Sequence, residues 1–182
     1  MRVIAALALV LLLSACVPTP PDPTPTPTPV ATPVFASEEE ALAAAEEAYA
    51  AYQAAIDAAL ASHDASPLSD VVTGKALDAA NESVERFQAQ DLRQEGLSST
   101  RVIEIAHPGG LLGGDPSEPL QAYGCLDISG VRVLDAGGNE VNPPGRRDLY
   151  PMVITISVRS VDGSLQAVVQ DVEVWEGSDF CV

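Results

Sequence analysis

The stretch S-E-E-E-A-L-A-A-A-E-E-A-Y-A-A-Y-Q-A-A-I-D-A-A-L-A-S, Ser37 to Ser62, decides how the rest of this chain is read. Ser37 followed three residues later by Glu40 is a capping box, and Glu38, Glu39 and Glu40 place three carboxylates at the positive end of a helix dipole. Apolar or aromatic side chains then recur at Leu42, Ala45, Tyr49, Tyr52, Ile56, Leu60 and His63, in steps of three and four that line one helix face. The spacing predicts one long amphipathic helix over about Glu38 to Ser62. By its position beside Ile56 at the edge of that stripe, Asp57 is expected to face water.

Toward the C-terminus the period changes. Pro67 interrupts the chain, Leu68 to Thr73 reads as a short helix, and Leu77, Ala80, Val84 and Phe87 form a second helical stripe before Gly96. Beyond Gly96 the pattern alternates: strands are expected at Arg101 to Ile105, Leu120 to Leu134 with a bend near Gly130, Met152 to Arg159, and Leu165 to Trp175. Asp162-Gly163 is a hairpin turn, Asp135 to Asn139 a looser one, and Pro108 to Pro119 a Gly/Pro-rich loop. Within that loop Gly109 to Gly114 has two readings, a flexible connection or a mobile lip carrying exposed Leu111 and Leu112. Helices followed by antiparallel strands make an α+β domain, helices packed on a curved sheet.

Toward the N-terminus the sequence reads as an address and a spacer. Met1 and Arg2 precede eleven apolar residues, Val3 to Leu13, a length that suits a signal-peptide core and is short for a membrane span. Leu13-Ser14-Ala15-Cys16 resembles the lipobox of bacterial lipoproteins, which implies cleavage after residue 15, lipidation of Cys16 and anchoring to the cell membrane by acyl chains. Pro18 to Pro33 holds 8 of the 15 prolines and favours extended polyproline II, so residues 16–36 read as a spacer and residues 37–182 as the folded domain. The expected location is extracytoplasmic.

Composition excludes some functions. The chain has 26 acidic against 9 basic residues, a formal charge of -17, and one Lys, Lys75; a nucleic-acid binder needs a basic face, and none is offered. Arg2 and Asp22 are the only charged residues before Ser37, so all of the net charge falls on the domain. With Cys16 lipidated, Cys125 and Cys181 remain, and in an exported domain they are expected to form a disulfide.

The order of a long helix, shorter helices and a sheet resembles the cone-shaped nuclear transport factor 2-like fold. The segments E-E-A-L-A-A-A-E-E-A-Y-A-A-Y (Glu39 to Tyr52), C-L-D-I-S-G-V-R-V-L-D-A-G-G-N (Cys125 to Asn139) and W-E-G (Trp175 to Gly177) with Cys181 look like those of small secreted actinobacterial lipoproteins of that kind. Enzymes on this fold use a buried carboxylate with a Tyr or His partner inside the cone, which makes Tyr49, Tyr52, Asp57, Asp127 and Asp171 candidates, with Tyr49, Tyr52 and Asp127 expected to line the cone. Buried tyrosines with satisfied hydroxyls are the competing reading for Tyr49 and Tyr52.

His63 and His107 read as structural, the first closing the helix beside its dipole and the second entering a loop. No metal site, cofactor motif or catalytic signature is present in the sequence. The expected function is a non-catalytic, membrane-anchored lipoprotein binding a small apolar ligand or an envelope partner. The alternative is an isomerase- or hydratase-type enzyme.

Overall fold

The structure, a computed structural model, describes residues 33–113 and 118–181. The segments expected to be a leader (1–15), a lipidated Cys16 and a spacer lie, up to residue 32, outside the described residues, as do residues 114–117 of the Gly/Pro-rich loop.

Helix α1 spans Glu38–Ser62, the range its capping box and period predict. Ser37 Oγ accepts from Glu40 N–H, while Glu40 Oε2 reaches back to the Ala36 N–H at 2.8 Å. The helix ends at His63, which adopts the left-handed conformation (φ 61°) and donates its backbone N–H to Ala59 O. A 3₁₀ turn at Leu68–Asp70 and helix α2, Gly74–Ala89, follow. Four strands, β2 (Ser99–His107), β3 (Leu120–Asp127), β5 (Leu149–Val161) and β6 (Ser164–Val174), form an antiparallel sheet in the order β2-β3-β5-β6. The short strands β1 (Arg93–Glu95) and β4 (Arg132–Leu134) pair separately. This is an α+β architecture with antiparallel sheets.

Both helices bury their stripes on one face of the four-stranded sheet. From α1 come Ala41, Ala45, Ala48, Tyr49, Tyr52, Ile56 and Leu60; from the sheet come Val102, Leu120, Ala122, Met152, Ile154, Ile156 and Val169. The alternation along β5 obeys the expected period of two, with Met152, Ile154 and Ile156 inward. Gly124 is a glycine because its strand must pass under Ile154: a Cβ there would meet Ile154 Cδ1 at 2.6 Å and Arg101 O at 3.1 Å. The β5–β6 turn is Asp162-Gly163, both at positive φ, the geometry of a two-residue hairpin.

Three expectations need correction. Leu120 to Leu134 is not one bent strand: β3 ends at Asp127 and β4 joins a different sheet, because Val131 N–H turns back to Ile128 O and Arg146 ties the Ile128 and Val131 carbonyls. Leu111 is not an exposed lip residue but 2% exposed in the core, carried there by a 3₁₀ turn, Gly109–Leu112. Leu112 is half-buried and packs against the same core. Ordered packing also begins before Ser37. Val34 and Phe35 pack on the core and both donate their N–H groups to Leu111 O, at 2.9 and 3.0 Å.

Cys125 on β3 and Cys181 are bonded, with Cα atoms 5.7 Å apart and a sequence separation of 56. The bond lies on the sheet face away from the helices and holds the C-terminal segment across it. Closing a loop of this size contributes on the order of 4 kcal/mol in the chain-entropy picture, and measured losses are usually smaller. The Cys125→Ser, Cys181→Ser double variant is therefore expected to melt several degrees earlier, a loss of about 2 to 4 kcal/mol. Non-reducing mass spectrometry of the parent should show one linked peptide pair, and two alkylatable thiols in the native domain would contradict the pairing.

Candidate functional site

Along α1 the buried side chains grow. The first half buries Ala41, Ala45 and Ala48 beside Tyr49, and the second half buries Tyr52, Ile56 and Leu60 beside Ala59. On that second half a cleft of about 400 Å³ opens between α1 and the sheets. Ile56, Leu60, Leu126, Ile128, Val131 and Val133 supply its apolar wall, and Tyr52, Gln53, Asp57, Gln94, Ser98 and Arg146 its polar groups.

Asp57 is the polar centre of this wall and is 6% exposed. The expectation that it faces water was wrong, because the helix side next to Ile56 is covered by β1 and the β1–β2 turn. Gln94 Nε2 donates to Asp57 Oδ1 at 2.6 Å, and Ser98 donates both its N–H and its hydroxyl to Oδ2 at 2.8 Å each. Gln53, one turn earlier, faces the same Ser98 hydroxyl at 3.4 Å. The carboxylate thus binds α1 to two segments some forty residues away, and three donors satisfy it in a setting where an unpaired charge is costly.

Arg146 borders the mouth. Its Nη2 donates to Ile128 O and Val131 O at 2.9 and 3.0 Å, which fixes the β3–β4 connection, and to Asp148 at 3.2 Å. Asn142 plays a similar part: its Oδ1 accepts from Val133 N–H at 2.9 Å.

The three residues expected to line a cone separate. Tyr52 does line the cleft. Tyr49 does not: it is 0% exposed, sealed between α1 and the sheet, and its hydroxyl has no hydrogen-bond partner among the described residues. Burial, and after it the adjacent Tyr52, push the Tyr49 hydroxyl well above the ordinary tyrosine range, with the nearby Gln53 side chain acting the other way; burial likewise raises Tyr52. Asp127 sits on the opposite sheet face beside Cys125, for side chains alternate along β3 and Leu126 takes the inward position. Its Oδ1 accepts from Ser129 N–H at 2.8 Å in a local turn, and bonding from the Ser129 side chain and backbone holds its carboxyl below the usual range.

The other candidates are accounted for locally. Asp171 pairs with Lys75 of α2 at 2.7 Å. His63 Nε2–H donates to Leu92 O at 2.5 Å, and His107 Nδ1 accepts from Gly109 N–H at 3.1 Å. Among the described residues no group of three or more His, Cys, Asp or Glu side chains is placed to hold a metal ion, and no helix is long and apolar enough to cross a membrane. Gln94, Ser98 and Arg146 were not anticipated; nothing in their local pattern distinguishes them from surface polar residues.

No protein-family model matches this sequence, and no curated protein matches it with significance. Among solved structures, the chain is similar to the crystal structure of the intermembrane space region of the chloroplast protein ARC6, with a TM-score of 0.52 and 12% identity over 73% of this chain and 95% of that one. The likeness is one of fold.

Two substitutions test this description. Asp57→Ala leaves the Gln94 amide and both Ser98 donors without their acceptor and is expected to cost about 2 to 4 kcal/mol, read as an earlier denaturant midpoint. Tyr49→Phe removes a buried hydroxyl that has no partner among the described residues and should leave stability unchanged or raise it by about 1 kcal/mol. Because the raised Tyr49 hydroxyl stays neutral in the fold, its contribution is present below the ordinary value of 10.0 and is lost as pH rises above it. Tyr49→Phe should flatten that alkaline loss, and an unaltered alkaline profile would contradict the burial argument.

Proposed function

We propose that this chain is a membrane-anchored extracytoplasmic lipoprotein whose domain is a nuclear transport factor 2-like cone binding a small apolar ligand. The observation that carries the binding reading is the cleft of about 400 Å³ beside the second half of α1. Small-molecule sites are concave, mostly apolar, of roughly 300 to 1,000 Å³, with few polar groups to orient the ligand. Tyr52, Gln53, Asp57 and Arg146 are polar groups of the wall that a ligand would meet, with Asp57 already held by Gln94 and Ser98.

Anchoring rests on Leu13-Ser14-Ala15-Cys16 and on the proline-rich spacer that follows. The Cys125–Cys181 bond suits an oxidising compartment. Cys16→Ser is expected to move the protein from the membrane fraction to the soluble fraction, and unchanged membrane recovery would refute the anchor.

A second reading, an isomerase- or hydratase-type enzyme, has one observation in its favour: Asp57 is a buried carboxylate on the same wall as Tyr52. A general base needs a lone pair aimed at a substrate proton. Asp57 instead spends both oxygens on Gln94 and Ser98, which is the geometry of a structural clamp. Binding is therefore the reading adopted.

A thermal-shift screen against membrane lipids and apolar envelope metabolites tests it. A ligand at a hundred times its Kd adds about 2.7 kcal/mol, several degrees in Tm for a domain of this size. Ile128→Trp, which places an indole at the cleft wall, should abolish that shift while the protein remains folded. If no ligand of the panel shifts the parent, or the shift survives Ile128→Trp, the cleft is not the binding site.

A further inference from the structure

The sheet face away from the helices carries a second concave surface, separate from the cleft. Tyr123 projects there from β3, and two residues of the C-terminal segment close on it: Trp175 edge-on at 5.2 Å between ring centroids and Phe180 at 5.4 Å. With Ile103, Glu104 and Ser178 they line a groove of about 350 Å³. Ile103 is 37% exposed, and all three rings are half-buried, each keeping part of its surface open.

The groove is built rather than incidental. Trp175 Nε1–H donates to Ser178 O at 3.2 Å, which sets the ring's orientation, and Gly177 leaves room for it: a Cβ at 177 would meet the indole at 2.4 Å. Phe180 is positioned by its neighbour Cys181, bonded to Cys125 on β3 beneath. Three aromatic rings held side by side, the indole N–H already satisfied, are the kind of surface that recognises polyproline II chains, which arrive already extended and lose little entropy on docking.

We propose that the occupant is this chain's own segment Pro18–Pro23, P-T-P-P-D-P, docked in cis. Polyproline II has three residues per turn. Pro18 and Pro21 therefore share one face, Pro20 and Pro23 a second, and Thr19 and Asp22 the third. Two adjacent proline faces meet the rings, and the one carboxylate of the spacer points away from a domain that already carries the whole net charge of -17. A strongly acidic partner would be repelled by that charge, whereas this segment carries a single negative charge, at Asp22, on the face turned away.

The point of entry allows the docking. Pro33 sits beside Gly113, and Val34 and Phe35 are bonded to Leu111, in the loop that follows the end of β2. The last residue of β2, His107, pairs with Gln121, two residues from Tyr123 on β3. Rounding the sheet edge from that loop to Tyr123 spans on the order of 20 Å, and the residues between Pro23 and Pro33 cover about 30 Å when extended. Pro18–Pro23 thus reaches the groove with length to spare.

Trp175 is the chain's one tryptophan and so reports on the groove alone. The experiment compares acrylamide quenching of its fluorescence in the full chain carrying Cys16→Ser with that of the same chain also carrying Pro18→Ser, Pro20→Ser, Pro21→Ser and Pro23→Ser. The serine variant is expected to be quenched more readily, by roughly twofold, with a melting temperature no higher than the parent's and at every protein concentration. Equal quenching in the two proteins would overturn the proposal. So would protection in the parent that vanishes on dilution, which would assign the groove to a segment from a second copy.

Discussion

Everything in this domain follows from how closely α1 approaches the sheet. An alanine carries nothing beyond Cβ, so Ala41, Ala45 and Ala48 let the first turns of the helix settle almost onto the strands, burying Tyr49 completely. Further along, Tyr52, Ile56 and Leu60 are the larger side chains buried between the helix and the sheets. The space beside them is neither filled by the sheet nor closed by α2, and it becomes the cleft. The surroundings of this half explain why a carboxylate is tolerated in such a place. The β1–β2 turn covers it, and that turn supplies the Ser98 donors that Asp57 requires.

Local signals in the sequence were enough for the helices and for most of the four-stranded sheet, though not for the short strand β1 at Arg93–Glu95. A capping box and a stripe of period 3.6 placed α1, and period-two alternation placed the sheet strands, because both patterns record which face is buried. The strand expected to run from Leu120 to Leu134 shows where that logic stops. Apolar residues continue through Ile128 and Val131, yet the chain leaves the sheet there because Arg146, well downstream, captures the carbonyls that would have extended the ladder. A hydrophobic run specifies burial, not the partner it is buried against.

The candidate site was legible only in part, for a related reason. Tyr52 was found through its position on the stripe. Asp57 was misjudged because periodicity describes one helix facing one layer, and this residue is covered by a second layer, Gln94 and Ser98, that no local pattern announces. Asp127 was misplaced by the opposite uncertainty: the face it takes depends on the strand's parity relative to the core, which Leu126 settles in favour of the outside. Leu111 was hidden by its glycines, whose polar, flexible neighbourhood reads as solvent-facing although the leucine itself reaches the core.

The junction between the spacer and the domain has a mechanical side. Val34 and Phe35 both hang from one acceptor, the Leu111 carbonyl, and Leu111 is itself wedged in the core between α1 and the strands. Tension arriving along the N-terminal chain is therefore borne first by these two parallel bonds and by the anchored leucine, upstream of the Ser37 cap. The helix feels no pull until that pair gives way. In the anchored arrangement proposed above, these bonds would be the first to part under a pull, while the cleft and its clamp keep their shape.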